Sequence, residues 1–206
     1  MNYFGHAAVA SWTPGPPGVV LGAMLPDFAS MCGGQLDGAD DAEVAHGIEL
    51  HHAADRVFHQ MPAVLGLMRE LDGLLAGEAC ARGPRRAVAH IGVELLLDGV
   101  LVRTPAYRAA YLAAIDVGEP RLRWREPGTA PRFAVLMARL QGHGVPDDLQ
   151  RPESVVARLQ RTLAPRPLLA PSPDDVRAIR AAVTGFAPRL EVACETVLRG
   201  MRAGLA

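Results

Sequence analysis

The chain has 206 residues, a formal net charge of -1 and an isoelectric point near 6.7, so no basic field invites a nucleic-acid backbone. Half of the residues are hydrophobic and only 5% are aromatic, so a sizeable core must be built from Leu, Val, Ala and Met. Helix formers dominate and runs rich in Val, Ile, Thr and Tyr are scarce, which excludes a β-rich fold and predicts an all-α protein.

In chain order, an apolar segment over residues 2–12 is broken by the turn Thr13-Pro14-Gly15-Pro16-Pro17-Gly18. A second segment, residues 19–31, contains Pro26 and Asp27 and is expected to kink or end there. Residues 33–41 are polar and rich in Gly and Asp, which predicts a loop. The first long helix begins near Asp41, is bent or restarted at Pro62 and continues to about Ala76. Another spans residues 85–102, and a shorter one follows Pro105 over residues 106–115.

Residues 116–131 mix Arg, Glu, Pro and Gly and are expected to form an exposed loop, with Arg121–Arg125 as a solvated run or a dock for an acidic partner. Helices are predicted at residues 132–141, 152–163 and 172–202. The last opens on Ser172-Pro173-Asp174-Asp175, with Ser172 as N-cap, and is interrupted at Gly185 and Pro188.

The expected architecture is a single-domain helical bundle over residues 1–206. Its N-terminal half, 1–103, carries the chemistry, and residues 104–206 support it or bind substrate. Cys32, Cys80 and Cys194 are odd in number and far apart, which fits a reducing compartment. The N-terminus lacks a basic region, and the apolar stretch 92–102 is too short to span a bilayer and contains two acids. A cytoplasmic location without a transmembrane segment is therefore expected.

Six of the seven histidines lie within the first 90 residues, which places any imidazole chemistry in that half. On the first long helix, Val44, Ile48, His51, Asp55, Phe58 and Leu65 fall on one apolar face, opposite Glu49 and Arg56. The i,i+4 spacing of His51 and Asp55 sets two ligand atoms side by side, as a shared metal requires. Singly, each has an ordinary structural explanation, a carbonyl-bonded core histidine and a salt bridge; His52 and His59 sit at the edge of the stripe.

The run from Val93 to Val102 is apolar nearly all round, yet carries Glu94 and Asp98, which with His90 form an i, i+4, i+8 ladder. Burying an unpaired carboxylate costs several kcal/mol or more, so these acids must be protonated, paired with Arg or bound to metal. Asp27 and His6 emerge from similarly apolar segments. Together His6, Asp27, His51, Asp55, Glu94 and Asp98 are the candidate metal ligands, converging from four helical segments.

Mixed imidazole and carboxylate donors suit Mn²⁺, Fe²⁺, Mg²⁺ or Zn²⁺, and the absence of Cys ligands argues against a structural zinc site. Such a centre would activate a water and neutralise charge on a phosphoryl oxygen. Asp27, Asp55 and His52 are the candidate catalytic groups, with His59 and His90 as further orienting or proton-transfer groups.

Four segments carry a family resemblance: Met1-Asn2-Tyr3-Phe4-Gly5-His6, Gly22-Ala23-Met24-Leu25-Pro26-Asp27-Phe28, Gly47-Ile48-Glu49-Leu50-His51-His52-Ala53-Ala54-Asp55 and Glu94-x-x-x-Asp98. In order and spacing they resemble the acyl carrier protein phosphodiesterases, distant members of the His-Asp (HD) metal-dependent phosphohydrolase superfamily. The resemblance covers about the first 100 residues. It implies an HD-like helical fold, a divalent metal (typically manganese) and removal of the phosphopantetheine arm from acyl carrier protein, with His6, Asp27, His51, Asp55 and Asp98 around the metal and the water.

The chain departs from that family at His52 and Ala53, where two arginines are usual, at Glu94, usually Asp, and at Gly99, where His is common; the family's aromatic-rich C-terminal half is also missing. Two phosphate-gripping cations are thereby lost, so the substrate could be another small phosphoester. A looser resemblance links the same pattern to zinc-dependent phospholipase C-type lipid hydrolases. A non-catalytic helical binding or scaffold protein, its acids paired with Arg, is the remaining alternative.

Overall fold

A computed structural model describes residues 1–118 and 120–206. The chain is all-α: 75% of it is helical, and the only sheet among the described residues has two short strands. Prolines that look like breakers in the sequence act mainly as starters. Helices α2 (Pro17–Met31), α4 (Pro62–Gly77), α6 (Pro105–Ile115), α8 (Pro152–Leu163) and α9 (Pro173–Leu205) all begin on one. A first-turn proline lacks an N–H that would have no intrahelical partner anyway, and its fixed φ suits the helix. No helix among the described residues is long and apolar enough to cross a membrane. No disulfide links Cys32, Cys80 or Cys194.

The chain forms two compact units, each made from two stretches: Met1–Arg56 with Leu101–Pro146, and Val57–Val100 with Asp147–Ala206. The first contains α1 (Tyr3–Ala10), α2, most of α3 (Ala42–Gln60), α6 and α7 (Thr129–His143). Its core gathers Phe4, Leu21, Met24, Leu25, Phe28 and Tyr111, with Tyr3 against Phe28 and Phe4 against Tyr111 at ring-centroid distances of 5.5 and 5.4 Å. Helices α2 and α3 cross on two glycines. A methyl built on Gly47 would meet the Val19 carbonyl and lie 2.7 Å from the Gly22 Cα, so only hydrogen fits at the crossing.

Three features of this unit differ, in whole or in part, from expectation. Helix α2 does not end at Pro26 but runs through it. Proline deprives the Gly22 carbonyl of its helical partner, but the face bearing Leu21, Met24, Leu25, Phe28 and Ala29 is buried on both sides of it and keeps the helix continuous. Second, the supposed loops 33–41 and 116–131 contribute strands β1 (Leu36–Ala39) and β2 (Leu122–Trp124), which pair antiparallel.

Third, Arg121, Arg123 and Arg125 are exposed, as expected of a solvated run, but they are also paired. They pair with Asp41, Asp40 and Asp37 of the opposite strand and its flank. Alternation along a strand puts the three guanidinium groups on one side, where three carboxylates meet them.

The second unit packs α9 on α4 and α8, with α5 (Arg82–Leu101) and a short 3-10 turn (Asp147–Gln150). Phe58, Leu71, Leu75, Leu97, Leu159, Ile179 and Phe186 form its core. Ser172 caps α9 as expected: its Oγ accepts from the Asp175 amide at 3.1 Å, and the Asp175 carboxylate accepts from the Ser172 amide at 2.9 Å.

Gly185 and Pro188 do not interrupt α9, because Val183, Phe186, Leu190, Cys194, Val197 and Met201 keep a buried stripe at helical spacing across them. Leu65 leaves the apolar stripe assigned to it and is 40% exposed, since Pro62 starts a new helix and resets the phase. Gly99 faces the Leu149 carbonyl so closely that any side chain there would collide.

Candidate metal centre

The first unit brings His6, Asp27 and His51 together, with one ligand atom of each within 4.8 Å of the others, a group that could hold a metal ion. Helix α1 supplies His6, α2 supplies Asp27 just after Pro26, and α3 supplies His51 and Asp55 one turn apart. His6 Nε2 lies 3.2 Å from Asp55 Oδ1 and 3.9 Å from Asp27 Oδ2, and His51 Nε2 lies 3.7 Å from Asp55 Oδ2. A tetrahedral ion with bonds near 2.1 Å sets its ligand atoms ~3.4 Å apart, so these separations suit one with small adjustments.

The two imidazoles are stacked, with centroids 3.8 Å apart and planes at 23°. Both are buried, His6 at 1% and His51 at 5% exposure. Burial lowers the pKa of each; for His51 burial and the adjacent His6 push it down to about 3, so both rings are neutral at pH 7. His51 Nδ1 is 2.9 Å from the Ala23 carbonyl oxygen. A carbonyl can only accept, so Nδ1 carries the proton and Nε2 presents its lone pair toward the carboxylates, the tautomer a metal ligand needs.

Neither ring nitrogen of His6 has a well-directed hydrogen-bond partner, although the residue is buried. Its 3.2 Å approach to Asp55 is off the line a hydrogen bond requires. A buried imidazole left so calls for something else to satisfy it, and an ion held with Asp27 and His51 would do that.

Asp55 is also held by the Met1 amine at 2.6 Å. Burial acts to raise its carboxyl, but the neighbouring His6 and the Met1 amine outweigh that and keep it ionised, well below the ordinary carboxylate range. Asp27 and Asp55 retain 26% and 33% side-chain exposure, so the cluster has a wet side while its imidazoles do not. His52 is exposed and is not a member of the cluster. Its ring meets His51 edge-on at 5.3 Å and lines a groove of about 510 Å³ with Pro26, Ser30, Gly33, Gly34 and Glu126.

Glu94 belongs to another group, in the second unit, with His59 and His90. Its expected ladder on α5 climbs from the surface inward: His90 is exposed, Glu94 mostly buried and Asp98 fully buried. His59 and His90, expected as orienting or proton-transfer groups, here lie with Glu94 in a group of their own. One signal was available: His59 follows Asp55 by four residues, extending the His51–Asp55 spacing another turn. The Ala23 carbonyl and the Met1 amine, as backbone groups, left no signal.

The fold and these side chains define an all-α protein bearing clustered histidine and carboxylate groups of the kind that could hold a metal ion. No protein-family model matches the chain, and neither does any curated protein or solved structure in the comparisons made.

Proposed function

We propose that this chain is a metal-dependent phosphodiester hydrolase of HD-like type, centred on His6, Asp27, His51 and Asp55. The observation that carries the reading is the pair of buried imidazoles, stacked and set by Nε2 near the Asp27 and Asp55 carboxylates, with His6 lacking a well-directed partner. Ion pairing alone is a poor reason to bury two neutral histidines beside carboxylates, because the arrangement gains little unless the rings are protonated.

A divalent ion there, Mn²⁺ by the family resemblance, with Fe²⁺, Mg²⁺ or Zn²⁺ as alternatives, would neutralise a phosphoryl oxygen and acidify a water. His6 and His51 would hold it by Nε2, with Asp27 and Asp55 supplying oxygen donors. The Ala23 carbonyl fixes the His51 tautomer, and the Met1 amine fixes Asp55.

The groove past Pro26 and His52, the neighbours in sequence of Asp27 and His51, is the place for substrate. Water attacks phosphorus, the phosphorus–oxygen bond to the leaving alcohol breaks, and the water's proton passes outward through Asp27 or His52 while the alcohol oxygen regains one. Phosphopantetheine on acyl carrier protein is the substrate that the family resemblance proposes.

A second reading, hydrolysis of a less anionic or smaller phosphoester, is favoured by the groove itself. His52 stands where the family has arginine, and Glu126 lies opposite as a lining residue.

The deciding assay loads the protein with Mn²⁺ and offers bis(p-nitrophenyl) phosphate, a phospholipid and pantetheinylated carrier protein. Turnover of at least one, lowered ~100-fold or more by His51→Ala and by Asp27→Asn, is the expected result. A metal-loaded wild type that hydrolyses none of the three leaves the scaffold alternative standing and removes this proposal.

A further inference from the structure

We infer that His59, His90 and Glu94 form a second cation site, taking a transition-metal dication of the Zn²⁺ or Co²⁺ class through two imidazoles and one carboxylate. The inference stands independently of the hydrolase reading, because all three residues lie in the second unit and none is a ligand in the centre proposed above.

His90 and Glu94 are one turn apart on α5, and His59 reaches them from the end of α3. Both histidines direct the same nitrogen at the same oxygen: His90 Nε2 is 3.0 Å and His59 Nε2 is 3.6 Å from Glu94 Oε1. These separations bracket the ~3.4 Å edge of a tetrahedron with bonds near 2.1 Å. The rings meet at 61° with centroids 4.9 Å apart, so their edges rather than their faces converge on the carboxylate. Coordination through ring nitrogen lone pairs needs that presentation.

A pair of ordinary ion pairs explains this less well. Two imidazolium rings at that distance would repel each other. A dication between them uses both rings and the carboxylate together.

Exposure also matches. Glu94 is 12% exposed, His59 33% and His90 52%, so the carboxylate is anchored inside while the site opens outward along the imidazoles. Three protein ligands with an open side leave a coordination position for water or a small anion, as in catalytic rather than closed structural sites. Imidazole-rich donor sets favour Zn²⁺ and Co²⁺ over Mg²⁺.

The test is equilibrium dialysis of the full chain against Zn²⁺, with metal per chain counted by mass spectrometry, and visible absorption after Co²⁺ loading. Wild type, His90→Ala, His59→Asn, Glu94→Gln, His51→Ala and the double variant His51→Ala/His90→Ala are compared, each checked by circular dichroism for intact helix. His90→Ala and His59→Asn change outward-reaching rings, so at least these should fold normally.

Each of the three second-unit variants is expected to bind one ion fewer than wild type and to lose one Co²⁺ absorption component. Unchanged stoichiometry and affinity in folded His90→Ala and His59→Asn overturns the inference. Loss of an ion in His90→Ala but not in His51→Ala supports this site and counts against the centre at His6 and His51. The reverse pattern supports that centre alone.

Discussion

The two histidine groups solve the same donor problem in opposite surroundings. In the first, His6 and His51 are stacked and nearly sealed, a backbone carbonyl sets the tautomer of one, and the carboxylates keep the wet side. In the second, the carboxylate is the sealed member and the rings reach outward. Burying the imidazoles holds them neutral and in place at the expense of stability, whereas burying the carboxylate leaves the rings on the solvent side. The first arrangement is preorganised and the second adjustable, and each can be disturbed separately.

The largest effect is expected where the first group is held together. Gly47→Ala drives a methyl into the Val19 carbonyl and Gly22 backbone, which should cost on the order of 3 kcal/mol in urea melts because neither neighbour is a flexible side chain. The same shift should move Ala23 away from His51 and weaken metal uptake at the first group.

Next, His51→Ala should lower the stability of the metal-free protein by about 2 kcal/mol, through the cavity and the lost carbonyl bond. His90→Ala, at a half-exposed ring, should change it by no more than about 0.5 kcal/mol. Equal losses in the two variants would erase the contrast between sealed and open rings.

Acid should then separate the groups further. The His51 pKa is pushed down to about 3 from 6.5, so between those values the unfolded chain binds the extra proton. Its contribution is complete above pH 6.5 and is lost as the pH falls toward 3, with a slope of at most about 1.4 kcal/mol per pH unit. Urea melts from pH 7 to 4 should show that slope, and His51→Gln should flatten it; a wild-type stability independent of pH would contradict a neutral buried ring.

The smallest effect belongs to the strand pair. Arg125→Ala removes an exposed ion pair with Asp37 and should cost between zero and about 1 kcal/mol, less at high salt.

The boundaries of most helices were readable from the chain alone. The 3.6-residue repeat and first-turn prolines located α3, α4, α8 and the start of α9 to within a few residues, because both act within one helix. His6, Asp27, His51 and Asp55 were readable for the same reason, as polar residues on otherwise apolar faces.

Tertiary contact decided the rest. Strand β1 pairs with β2 through partners such as Asp37 and Arg125, 88 residues apart, and no local pattern announces that contact. Helices α2 and α9 stay continuous through Pro26 and Pro188 because burial on both sides outweighs the lost hydrogen bond, a balance invisible until the neighbours are known. The grouping of Glu94 with His59 and His90 was settled the same way. Periodicity tells which face of a helix a carboxylate occupies, but only packing tells which imidazole meets it there.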